Sequence, residues 1–157
     1  MGHNAMVFEL GTFFPYRVRK FATTVSEALQ QIYSVEYGLT TSEWRTMAIL
    51  GTKNILSASE IVERSSMDKV NVSRAVQSLR SRGYLKRDID GDDRRKSVLR
   101  LTDEGIRVFD DLIPKVRAVE ERLLKDLSES DLLIMMDLME RISQRAEELV
   151  KQRETSG

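Results

Sequence analysis

Cysteine is absent from this 157-residue chain, and histidine occurs once, at His3. The first absence excludes a disulfide framework. Together they leave no Cys/His set for zinc and no imidazole beside a serine for nucleophilic catalysis. The eight glycines are scattered, so no glycine-rich loop is present to cradle a phosphate. Asp92 adjoins Asp93 and Asp110 adjoins Asp111, but sequence neighbours do not face one another on a helix, and no acids are spaced as a hard-cation site requires. The expectation is a protein with no catalytic residue, no metal ligand and no bound cofactor, and not an enzyme. No apolar run approaches the roughly 18 residues of a membrane-spanning helix, and no stretch reads as a signal peptide. No membrane partner is expected, and the cytoplasm is the expected location.

Net charge is missing too, since 25 Lys and Arg balance 25 Asp and Glu. A neutral total argues against a polyanionic partner only if the charge is evenly spread. Here it is not. Between Lys69 and Arg100, ten Lys and Arg stand against four Asp and Glu, and the remainder is acidic by the same margin. A solvated face accounts for basic residues on helices. It accounts less well for Arg94, Arg95 and Lys96 in succession, where like charges crowd without benefit to the fold.

What is present is mainly helical periodicity, over a length that suits one domain spanning 1–157. A long helix is expected from about Pro15 to Tyr37, with a stripe of Val18, Phe21, Val25, Leu29 (or Ala28) and Ile32 and a stop at Gly38. Thr40 and Glu43 form a capping box, flanked by Leu39 and Trp44, for a helix ending near Leu50. Ser57 and Glu60 repeat the device for a short helix to about Arg64. The next helix takes Asp68 as its cap, carries Val72, Ala75, Val76 and Leu79 on one stripe, and stops at Gly83. Tyr84–Ile89 and Ser97–Leu101 alternate apolar and charged residues about the turn signal Asp90-Gly91, which reads as a hairpin. Thr102 then caps a helix with Ile106, Phe109, Leu112, Val116, Val119, Leu123 and Leu127 at its apolar positions. Ser128 caps a last helix to about Lys151, with Leu132, Met136, Met139, Ile142, Ala146 and Leu149 on one face. Two helices joined by a short turn, followed by a basic hairpin, make a helix-turn-helix with a wing.

Opposite its apolar stripe, the helix after Asp68 carries Val70, Arg74, Gln77 and Ser81, with Ser73 and Ser78 beside them. A short polar face of this kind suits a DNA major groove. Arg74 and Gln77 are able to make bidentate base contacts, with Val70 and Ser73 on the same face, and Lys69 and Asn71 suit phosphates near the helix start. At the hairpin tip Arg95 suits the minor groove with Asp93 holding its guanidinium, while Arg94 and Lys96 suit phosphates. The plainer reading makes both features solvated surface, and Arg80 and Arg82 no more than a polar helix end.

The run DDRRKSVLRLTDEG, after DKVNVSR and LRSRGYL, resembles the MarR (multiple antibiotic resistance regulator) family of winged-helix repressors. That family carries an Asp-x-Arg pair at its wing, here Asp93 and Arg95, then a strand ending in Leu-Thr and a long helix. The likeness covers about 39–127 closely and the flanking helices by pattern. It implies a fold that is mainly α with a small β-hairpin wing. A winged helix-turn-helix at about 39–101 would be flanked by dimerisation helices at about 13–37 and 103–151. It further implies a homodimeric, sequence-specific transcription regulator, a repressor, on a pseudo-palindromic double-stranded DNA operator. The branch of the family that senses peroxides through a thiol is excluded by the lack of cysteine. Such proteins commonly bind a small aromatic acid beside the dimerisation helices. Phe14, Tyr16 and Arg17 on the first helix and Trp44 and Arg45 on the second are the candidate ligand residues, for an aromatic acid or its thioester as effector. Core packing is the other reading of these aromatics, and the favoured one for Trp44. Two rival functions stay open: a winged-helix protein–protein interaction module that contacts no bases, and DNA binding without any effector.

Overall fold

Six α-helices and one antiparallel hairpin make up the computed structural model, which describes residues 8–51, 54–89 and 97–155. Its contacts divide the chain into two compact units, the first ending at Val119 and the second beginning at Glu120.

Helix α1 (Phe14–Val35) follows a single 3-10 turn at Leu10–Thr12 and has its proline in the first turn, where the missing N–H costs nothing. Only the second half of its apolar stripe packs. Leu29 and Ile32 lie against the core, whereas Val18 and Phe21 are exposed. The side chain that α1 buries is Tyr33, whose hydroxyl is 3.0 Å from the Thr41 hydroxyl. Helices α2 (Thr41–Leu50) and α3 (Ala58–Ser65) both open on complete capping boxes. The Thr40 N–H donates to Glu43 at 2.7 Å and the Ser57 N–H to Glu60 at 2.8 Å. Helix α4 (Lys69–Ser81) starts on Asp68, which accepts from the Asn71 N–H at 2.8 Å. Its stripe of Val72, Ala75, Val76 and Leu79 is buried as the periodicity predicts. With Leu39, Met47, Leu50, Leu56 and Ile61 it forms a core in which each large side chain contributes about 1.5–3 kcal/mol.

Strands β1 (Leu85–Ile89) and β2 (Ser97–Leu101) pair with Leu85 opposite Leu101, Arg87 opposite Leu99 and Ile89 opposite Ser97. Leu85, Leu99 and Leu101 seal the core, so the root of the hairpin is fixed. Leu56 adds an isolated bridge that the sequence pattern does not announce. Its N–H donates to the Leu99 carbonyl at 3.1 Å, and its own carbonyl accepts from Leu99 at 2.7 Å. The tip, with Asp93, Arg94, Arg95 and Lys96, lies outside the described residues.

Helix α5 (Asp103–Leu124) is tied to the end of α4 by Thr102. The Thr102 hydroxyl donates to the Gly83 carbonyl at 2.5 Å and accepts from the Gly105 N–H at 3.0 Å. Leu112 is fully buried, and Ile106, Phe109 and Val116 pack on the core. The helix passes through Pro114 and ends at Leu124, three residues before the apolar pattern does. In the second unit, Ser128 and Asp131 cap each other reciprocally, at 2.9 and 3.1 Å, to open α6 (Glu129–Thr155). No described residue of α6 is buried, and Leu133, Ile134, Met136, Leu138, Met139, Ile142, Leu149 and Val150 are all exposed. No helix among the described residues is long and apolar enough to cross a membrane.

Candidate nucleic-acid interface

Burial of the α4 stripe decides which side chains face out. Lys69, Val70, Asn71, Ser73, Arg74 and Gln77 are all exposed along one side of the helix. Val70 is 58% exposed, which no requirement of the core explains. Among the described residues no side chain bonds to that of Arg74 or Gln77, so their donors are available to a base edge or phosphate. Asn71 is engaged locally. Its amide donates to Asp68 at 2.6 Å, within the cap. That contact, after the Asn71 backbone N–H, holds the Asp68 carboxyl below the ordinary aspartate range. Ser78 departs from expectation. It is half-buried and donates its hydroxyl to Glu43 on α2.

A groove of about 580 Å³ runs between α3 and α4. Val62, Val72 and Val76 line it together with Lys69, Ser73, Gln77, Arg80 and Arg87. Arg87 comes from β1, and a neighbouring depression brings Lys86 and Arg87 beside Gln77, Arg80 and Ser81. The hairpin root therefore adds cations to the outward side of α4. Arg80 and Arg87 belong to this surface. The available signal was helical spacing for Arg80, three residues beyond Gln77. For Arg87 it was strand parity, since it shares a ribbon face with Leu85 but stands one step nearer the tip. The arrangement is a short, hydrogen-bonding helix face bordered by positive charge, which can meet groove edges and phosphates together.

The candidate ligand residues are not assembled. Phe14, Tyr16 and Arg17 are exposed on the first turns of α1, and Arg45 is exposed on α2. Among the described residues, no hydrogen bond, ion pair or ring contact joins that trio to Trp44 or Arg45. Trp44 is half-buried and stacks between Tyr33, 5.9 Å away, and Phe109, 6.3 Å away. That is the core role.

Residues 37–96 match the profile of the MarR family. The chain is 29% identical over 120 residues to the HTH-type transcriptional repressor MdtR of Bacillus subtilis, an alignment covering 76% of this chain and 77% of that one. The PcaV transcriptional regulator of Streptomyces coelicolor, solved in complex with its natural ligand, superposes with a TM-score of 0.75 at 25% identity, over 88% of this chain and 97% of that one. A MarR/EmrR family transcriptional regulator from Acinetobacter sp. ADP1 superposes with a TM-score of 0.81 over 90% of this chain and 99% of that one. Its identity is 19%, so this last likeness concerns the fold.

Proposed function

We propose, taking as premise that the winged-helix unit of this chain belongs to the MarR family, that the protein is a DNA-binding transcription regulator. The observation that carries the reading is the outward face of α4. Among the described residues, five of its six expected contact side chains stand there without a side-chain partner, with Arg80 and Arg87 gathered to the same surface. A protein–protein module has no need of so basic and hydrogen-bonding a helix face.

On this reading two copies act together. Each places α4 in a major groove, with Arg74 and Gln77 toward base edges, and lays its wing tip, Asp93 to Lys96, along the adjoining minor groove. Two-fold symmetry requires a pseudo-palindromic operator with half-sites about one helical turn apart, roughly 34–36 Å. The uncovered apolar residues of α6, and of α1 at Phe14, Val18 and Phe21, are the surfaces that a second copy would cover. Repression is the sign of regulation that the likeness to MdtR supports. The likeness to PcaV, which holds a natural ligand, supports an effector. Exposed Phe14 and Tyr16 with Arg17 and Arg45 suit a small aromatic acid or its thioester. Such an effector relieves repression only by favouring a dimer that fits the operator less well.

The test is fluorescence anisotropy with duplexes from the DNA upstream of the gene, titrated at two salt concentrations with excess unrelated duplex. The expected result is selective binding that weakens steeply with salt, is reduced in Arg74→Ala and is lost in Arg95→Ala. Binding indifferent to sequence and to both arginines overturns the reading in favour of a protein partner.

A further inference from the structure

Glu43 and Glu60 hold the same position in the same capping motif, yet Glu60 does its work exposed while Glu43 is 4% exposed. Capping therefore does not require burial, and a buried carboxylate is costly unless fully partnered. Glu43 is fully partnered. Its Oε2 accepts from the Thr40 N–H at 2.7 Å, and its Oε1 accepts from the hydroxyl of Ser78, four residues beyond Arg74 and next to Gln77. One turn further on, Arg82 ends α4. Its two terminal nitrogens donate to the carbonyls of Gly38, at 3.0 Å, and Tyr37, at 2.7 Å, and its guanidinium lies 4.7 Å over the Tyr84 ring. The turn that receives both contacts is itself held. The Tyr37 hydroxyl donates to Asp111 at 2.5 Å and accepts from Lys115 at 2.6 Å, and Lys115 reaches Glu36 at 2.8 Å. All of these groups belong to the first unit.

We propose that Glu43 and Arg82 are positioning residues for DNA recognition: they clamp the second half of α4 to the turn between α1 and α2 and set the rotation at which Arg74 and Gln77 meet a base pair. The inference rests on the preceding reading of α4. Its physical basis is the narrow tolerance of a bidentate contact, roughly 10–20°. Apolar packing alone leaves a helix free to roll by that much on a smooth stripe, and a hydrogen bond from its flank does not. Ser78 sits at the edge of the stripe, where a tether resists rolling best. Arg82 fixes the same helix at its end with a planar fork that a lysine cannot reproduce.

The experiment compares the wild-type chain with Ser78→Ala, Glu43→Gln, Arg82→Lys and Ser78→Thr. Anisotropy gives affinity for a selected duplex and for unrelated duplex, and amide hydrogen exchange gives protection from Ala75 to Ser81. The expected result is a loss of about tenfold in selective affinity for the first three variants, with non-selective affinity and salt slope retained. Their α4 amides exchange faster, and Ser78→Thr restores both readouts. Unchanged selectivity overturns the proposal. So does a parallel loss of selective and non-selective binding together with thermal stability, which marks a structural role alone. If the wild-type chain selects no duplex, the DNA reading fails, and hydrogen exchange still decides the clamp: unchanged α4 protection in Ser78→Ala and Glu43→Gln overturns it. Should Glu43→Gln not fold, Ser78→Ala and Ser78→Thr carry the comparison.

Discussion

Burial pushes the Glu43 carboxyl up, but the Ser78 hydroxyl, the contacts with Thr40 and the charge of Arg82 outweigh it and leave the group below its ordinary 4.5. A carboxylate held low in the folded state stabilises the fold above its unfolded value, and that contribution is lost as pH falls through the folded value. Wild-type protein should therefore lose thermal stability on acidification below about 4.5 more steeply than Glu43→Gln does. Scanned from pH 6 to 3, the Tm gap between the two should narrow, and a constant gap would sink the assignment. Gly83 and Gly105 give a second contrast. Gly83 sits at φ +75 with open space around it, so Gly83→Ala costs only the left-handed penalty, about 1–2 kcal/mol. A Cβ on Gly105 would meet the Tyr84 carbonyl oxygen at 2.0 Å, so Gly105→Ala should cost about 3 kcal/mol or more by denaturant unfolding. Gly83 was legible as a helix stop. Gly105 was not, because the backbone it must admit, Tyr84, lies in the connection between α4 and β1, about twenty residues away in the chain.

At the scale of elements, α4 shows where periodicity suffices and where it fails. Its buried stripe follows from i, i+3, i+4 spacing, and so do Arg74 and Gln77 on the opposite side. Ser78 lies at the border, where a 100° step assigns either side. A buried carboxylate on α2, invisible to any pattern within α4, turned it inward. The Asn71 amide likewise bonds within its own cap. The outward hydrogen-bonding face of α4 is therefore narrower than the sequence suggested, and Arg80 and Arg87 adjoin it from the border and the hairpin root. Two substitutions separate its functions. Arg74→Ala should weaken binding to the selected duplex by about 1–3 kcal/mol and relax preference at one base step. Lys69→Ala, at the helix start, should weaken all duplexes alike and lower the salt slope by about 0.9 for the one phosphate lost. If both variants changed selectivity equally, the division of α4 into base-reading and phosphate-holding parts would be wrong.

For the whole molecule, the decisive feature is apolar surface without cover. The last helix was legible as one stripe, from Leu132 to Leu149. The structure exposes Met136, Met139, Ile142 and Leu149 from it, and adds Leu133, Ile134, Leu138 and Val150 around it. A sequence shows that a stripe must be buried but not against what, since nothing within a single chain names the partner. Soluble monomers rarely present so many large apolar side chains to water, and on the proposed reading a second copy is the cover that two-fold operator recognition also requires. Charge on the stripe should then separate assembly from folding. Met139→Glu combined with Ile142→Glu changes two exposed positions, so helix content should be retained while sedimentation equilibrium shifts from dimer to monomer at micromolar concentration. The wild-type Tm should rise with protein concentration and that of the variant should not, because association stabilises only the folded state. Joining two recognition helices in one particle is worth roughly 10²–10⁴ in avidity, so the monomeric variant should lose about that factor on a palindromic duplex. On a duplex bearing a single half-site it should bind nearly as well as the wild type. Equal losses on both duplexes would place the damage in α4 rather than in assembly, and an undiminished dimer would show that the uncovered stripe serves some other contact.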